Sequence, residues 1–175
     1  MRQQGFTLIE TVVVLLILGI LAVVAIPNLG NMAGTRASAS ARKLQSDIAY
    51  AQSLAMTRNL PHRVYFNTFP APPSGYAVVN DANGNGNWGE AAAGEFARDP
   101  VNSGGDLSVT LNTGSYAGVT ISAVGFAGSF VGFNTLGVPS DGAGPLAAVG
   151  SVTFSGGSTT QDVTVQPNTG KVTRP

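Results

Sequence analysis

No cysteine occurs in the 175 residues, so the chain can form no disulfide, no thiolate metal site and no cysteine nucleophile. Charge is equally scarce. Charged residues make up 10% of the chain and the nine acids balance nine Lys plus Arg, which excludes strong bulk attraction to nucleic acid or anionic lipid. A single histidine, His62, leaves no histidine pair for a metal and no convincing Ser/His/Asp set. It is expected to be a partly exposed residue at a turn beside Pro61.

What the chain does have is one long apolar run. From Phe6 to Ile26 the residues are almost all hydrophobic, and at about 1.5 Å per residue a helix of that length reaches roughly 31 Å, enough to cross a bilayer. A conventional cleaved signal would end in a small-residue site on the far side of its apolar core, and no clear A-x-A follows here. Glu10 is the one charged residue inside the run. A carboxylate in hydrocarbon costs roughly 2.5–3.5 kcal/mol on insertion scales, so one that is kept there has a partner or a task.

The hexapeptide Gly5-Phe6-Thr7-Leu8-Ile9-Glu10, preceded by Arg2 and followed by the apolar run, resembles the class III signal of type IV pilins and type II secretion pseudopilins. The resemblance implies that a prepilin peptidase cuts between Gly5 and Phe6. It further implies that the new Phe6 amine is N-methylated and that Glu10 neutralises the amine of a neighbouring subunit during assembly. The implied location is the bacterial inner membrane, crossed once with the C-terminal domain in the periplasm, and then a filament.

Beyond the run, Pro27 followed by Asn28, Gly30, Asn31 and Gly34 makes helical continuity weakest. Ala37, Ala41, Leu44, Ile48, Ala51 and Ala55 then recur at spacings of four and three, a narrow stripe on an amphipathic helix, with Arg42, Ser46 and Ser53 opposite. Asn59 and Pro61 stop it. Short β-branched runs follow at Arg63–Phe66, Tyr76–Val79, Leu107–Leu111, Val119–Val124, Ser151–Phe154 and Val163–Gln166, separated by Gly, Asn, Ser and Pro clusters.

The expected class is therefore α+β: a long N-terminal helix, membrane anchor plus amphipathic half, packed on a C-terminal antiparallel β domain, the pilin fold. The expected division is a leader over 1–5, a transmembrane and filament-core helix over 6–27, an amphipathic helix over 28–60 and a β-rich domain over 61–175. The segment Arg42–Ala55 with Arg58-Asn59, together with Phe133–Gly137 and Asp162–Val172, resembles the GspH/FimT group of minor pilins and pseudopilins.

Two further patterns carry chemistry. Asp81-Ala82-Asn83-Gly84-Asn85-Gly86 places oxygen ligands at alternate positions with Gly sixth, the opening of a calcium loop, for which Asp81, Asn83, Asn85, Glu90 and Glu95 are the candidate Ca²⁺ ligands. The twelfth position is Ala92, so the pattern departs from an EF-hand and a metal-free polar turn is the alternative. Trp88 within that loop is expected to anchor it by packing. The same stretch satisfies G-x-G-x-x-G but lacks the βαβ frame that a dinucleotide site needs. Lys171 and Arg174 near the C-terminus are candidate DNA contacts, giving the alternative of a competence minor pilin that binds DNA for uptake.

The sequence reading is thus a non-enzymatic filament subunit whose partners are prepilin peptidase, other pilins and the inner membrane.

Overall fold

A computed structural model of the chain describes residues 7–29, 32–102 and 104–174, with the side chains of 23–29 left aside. It separates into two compact units, Met1–Met32 and Ala33–Pro175. The first is helix α1 (Leu8–Leu29). Thr7 starts it, its Oγ1 accepting the Glu10 N–H at 3.3 Å, as an N-cap hydroxyl does for an otherwise orphaned donor. α1 does not stop at Pro27 but runs through it to Leu29.

The second unit is built on helix α2 (Met32–Thr57). All six residues of the predicted stripe, from Ala37 to Ala55, are fully buried, while Arg42, Ser46 and Ser53 are exposed. Asn59 adopts a left-handed φ of 51° just past the end, where the short amide side chain tolerates that conformation.

Among the described residues ten strands follow, all paired antiparallel: β1 (His62–Phe66), β2 (Gly75–Asn80), β3 (Ser108–Thr110), β4 (Val119–Val124), β5 (Phe130–Phe133), β6 (Pro139–Asp141), β7 (Gly144–Pro145), β8 (Gly150–Gly156), β9 (Thr159–Val165) and β10 (Val172–Thr173). They form a six-stranded sheet in the order β3-β2-β1-β5-β6-β7 and a four-stranded sheet in the order β10-β9-β8-β4. Each of the six predicted runs falls on one of these strands. β5, β6, β7 and β10 are additions.

The stripe of α2 closes one core with both sheets: Val64, Phe66, Tyr76, Val78 and Phe133 from the larger, Val152, Phe154, Val163 and Val165 from the smaller. Each large apolar side chain buried there contributes about 1.5–3 kcal/mol of transfer free energy. Close approach is required at Gly156, where an added Cβ would lie 2.3 Å from the Ala33 carbonyl oxygen. Polar side chains of α2 also reach across: Gln52 donates to the carbonyls of Gly137 at 2.8 Å and Thr169 at 2.9 Å, and Gln45 to that of Val172 at 3.3 Å.

A buried polar contact lies inside this interface. Asp47 accepts a 2.6 Å hydrogen bond from the Tyr76 hydroxyl and a 3.0 Å ion pair from Lys43 one turn earlier. Burial raises the Asp47 pKa above its ordinary value despite those donors, and burial likewise pushes the Tyr76 hydroxyl well above its own.

His62 corrects the sequence reading. It is not an exposed turn residue but is fully buried at the start of β1, in phase with Val64 and Phe66 on the core face. Its Nδ1 donates to the Leu60 carbonyl at 2.7 Å, a geometry that fixes the tautomer of the neutral ring. Burial lowers its pKa.

Candidate functional site

The proposed processing residues Gly5 and Phe6 lie outside the described residues. Glu10 sits in the first turn of α1, exposed, with no hydrogen bond to its carboxylate from any described residue. A negative charge in that turn is favoured by the helix dipole. Thr7 and Glu10 have the spacing of a capping box, a T-x-x-E signal legible in the sequence, of which the Thr7 half is formed. Around the carboxylate the helix is apolar on every described side. Leu8 is 82% exposed, Ile9 72% and Leu15 67%. Such a helix needs an apolar medium or other helices around it. Among the described residues no helix is long and apolar enough to cross a membrane.

The loop after β2 is tied together by its own side chains. Asp81 uses both carboxylate oxygens on backbone N–H groups, those of Asn85 at 3.1 Å and Gly86 at 3.0 Å. Glu95 is fully buried and accepts from the N–H groups of Ala82, Asn83 and Glu90. Glu90 is held by the amides of Asn83 and Asn85, each at 2.8 Å, and by Asn87 at 3.5 Å. The first two of those contacts lower its pKa.

Among the described residues no group of three or more acidic or histidine side chains is placed to hold a metal ion. Asp81, Asn83, Asn85, Glu90 and Glu95, the residues of the calcium expectation, all lie in this one hydrogen-bonded loop, where the three carboxylates accept from different loop donors. They staple the loop themselves. The GxGxxG match is followed only by a single 3₁₀ turn over Ala91–Ala93, so no helix N-terminus faces it.

What the stapled loop does hold is Trp88. The ring packs on a small second cluster of Ala71, Ala77 and Val79, on the sheet face away from α2, in keeping with the anchoring role expected of it. Gly89 makes the approach possible, because at its φ of 77° an added Cβ would stand 2.6 Å from Pro70. Over the Trp88 ring lies the Arg63 guanidinium, 3.8 Å from the centroid. Sequence reasoning missed this pair. Its only local trace is the alternation of β1, which sets Arg63 and Tyr65 opposite His62, Val64 and Phe66.

At the C-terminal end the two candidate DNA contacts differ. Lys171 is exposed, whereas Arg174 donates to the Ser38 carbonyl at 3.3 Å and hydroxyl at 3.0 Å, and so ties the chain end to α2.

Comparison with known proteins places the N-terminal segment first. Residues 1–26 match the prokaryotic N-terminal methylation motif. Two relatives named type II secretion system core protein G are 40% identical over 67 residues, in Pectobacterium carotovorum subsp. carotovorum, and 39% identical over 80 residues, in Aeromonas hydrophila. These alignments cover 38% and 45% of this chain and 41% and 51% of the relatives, so the chain spans about half the length of the curated relatives it matches, or less. A solved structure of the type IV minor pilin FimU of Pseudomonas aeruginosa aligns with a TM-score of 0.44 at 12% identity, covering 79% of this chain and 91% of that one. The chain is thus similar, over its first 26 residues, to proteins that carry the N-terminal methylation motif and, over less than half of its length, to type II secretion system core protein G.

Proposed function

We propose that the chain is a minor pilin or pseudopilin, a non-enzymatic structural subunit of a type IV pilus or type II secretion pseudopilus. The observation that carries this is the methylation motif over residues 1–26 set on a helix whose described side chains are apolar and exposed. Prepilin peptidase removes Met1–Gly5, and the chain waits in the inner membrane through its apolar segment. It then enters a filament whose core is made of such helices, with Glu10 pairing the freed amine of a neighbour. That no described residue hydrogen-bonds the Glu10 carboxylate supports this, since a charge in apolar surroundings is tolerable once an opposite charge meets it. The resemblance of α2 and the last strands to the GspH/FimT group favours a minor subunit.

The test is the intact mass of the chain after co-expression with a prepilin peptidase. The expected product lacks Met1–Gly5 and carries one methyl group. An unchanged mass in the presence of an active peptidase overturns the reading. DNA capture through Lys171 and Arg174 remains the weaker alternative, because Arg174 is already engaged with Ser38.

A further inference from the structure

The outer face of β1 carries a cation, Arg63, that forms no ion pair among the described residues. Arg63 lies over two rings, its guanidinium carbon 3.8 Å from the Trp88 centroid and 4.2 Å from that of Phe130. One of its N–H groups donates to the Tyr65 hydroxyl at 3.1 Å, and among the described residues no acidic side chain lies within ion-pair distance. A guanidinium has five N–H donors in a rigid plane. Among the described residues, only Tyr65 accepts from them. A cavity of about 400 Å³ opens here, lined besides Arg63 by Tyr65, Phe69, Pro70, Asn87, Trp88 and Glu90. A smaller hollow of about 210 Å³ shares Arg63 and Trp88.

We propose that this groove binds an organic carboxylate carried on an aromatic or apolar body, the chemistry that an acidic side chain or a chain end of a partner polypeptide presents. The N–H groups of Arg63 that no described residue engages match a carboxylate in the two-pronged geometry that makes such pairs strong. Phe69, 80% exposed, and Pro70 supply an apolar wall for the body. Trp, Tyr and Arg together are also the side chains that dominate binding energy at protein interfaces.

Glu90 borders the same cavity, and the Asn83 and Asn85 amides lower its pKa, so a ligand with a single negative charge is expected to be favoured over a doubly charged phosphate or a nucleic acid strand. The groove is preorganised, because Asp81 and Glu95 fix the loop and Gly89 seats it on Pro70. The loop that resembles a calcium site is in this reading the scaffold of a ligand groove.

Trp88 is the sole tryptophan in the sequence, so its emission reports on the groove directly. The full chain, in non-ionic detergent micelles, is titrated with N-acetylphenylalanine as a chain-end carboxylate and acetyl-Phe-Glu-amide as a side-chain carboxylate. N-acetylphenylalaninamide serves as the uncharged control and phenyl phosphate as the dianion. At least one of the two acids is expected to give a saturable change, and the tighter one identifies the source. The amide and phenyl phosphate are expected to bind at least about tenfold more weakly. R63Q should lose the acids by about tenfold or more. E90Q, which keeps the arginine, should narrow the gap between phenyl phosphate and the acids. Absence of saturable binding by either acid, an amide that binds equally well, or unchanged affinity in R63Q overturns the proposal.

Discussion

Helices α1 and α2 are of similar length and both depend on burying apolar surface, yet they carry that surface in opposite ways. In α2 the apolar residues form one stripe, and Leu44 and Ile48 are completely buried beneath two sheets of the same chain. In α1 they surround the axis, and Leu8, Ile9 and Leu15 remain mostly exposed. The surface of α2 is completed by strands of its own chain. In the function proposed here, that of α1 is completed by other subunits. One acid marks each helix, and the same contrast holds for them. Asp47 has its donors, Tyr76 and Lys43, within the chain, while Glu10 has none among the described residues.

That contrast is broken or sharpened by substitution. Leu44→Ala is expected to destabilise the folded unit by about 2–5 kcal/mol, the cost of lost burial plus the cavity left behind, measured by denaturant unfolding. Tyr76→Phe removes a hydrogen bond to a charged group and leaves Asp47 with Lys43 alone, for an expected loss of about 1.5–3 kcal/mol in the same assay. If either change were neutral, α2 would not be held as the contacts indicate.

A smaller, pH-dependent effect comes from His62. Its folded pKa is lowered from the 6.5 of the free side chain, so the unfolded chain takes up the proton more readily. The corresponding stability is fully present above pH 6.5 and is lost as pH falls through that value toward the folded pKa. The midpoint of thermal unfolding should therefore drop between about pH 7 and 5.5. In His62→Gln that slope should flatten, since there is no other histidine to supply it. The smallest effect is expected for Leu15→Ala, which should leave the unfolding of the α2 and sheet unit within about 0.5 kcal/mol.

The parts of the fold that were legible in the sequence are those with a local period. The α2 stripe was readable because spacings of three and four leave one face, and Asn59 with Pro61 marked its end. The longer strands were readable as β-branched runs. β6, β7 and β10 have two or three residues each, and Gly144-Pro145 in β7 has no strand propensity, so these exist only because a neighbour pairs with them. β5 was hidden because Phe130–Phe133 is buried at all four positions and contains a glycine, which erases alternation. The burial of His62 had a signal that was available, its place two residues before Val64.

The site divides in the same way. Glu10 stood out because its neighbours are uniformly apolar. Arg63 and Trp88 are brought together by the pairing of β1 with β2 and the turn of the loop behind it, a long-range contact that leaves no spacing to read. The loop carboxylates have the pattern of a calcium loop, but pattern does not say which donors an oxygen meets, and Asp81 and Glu95 accept from backbone N–H groups.

The central claim is that α1 is completed by other subunits through a charge that becomes useful only after cleavage. The most direct test compares Glu10→Ala with the unsubstituted chain in a host that carries prepilin peptidase and the cognate assembly machinery, measuring both the processed mass and the yield of sheared filaments that contain the chain. The account predicts normal processing and a loss of incorporation of at least about tenfold. Filaments that take up Glu10→Ala at the ordinary level, from a normally processed pool, would contradict it.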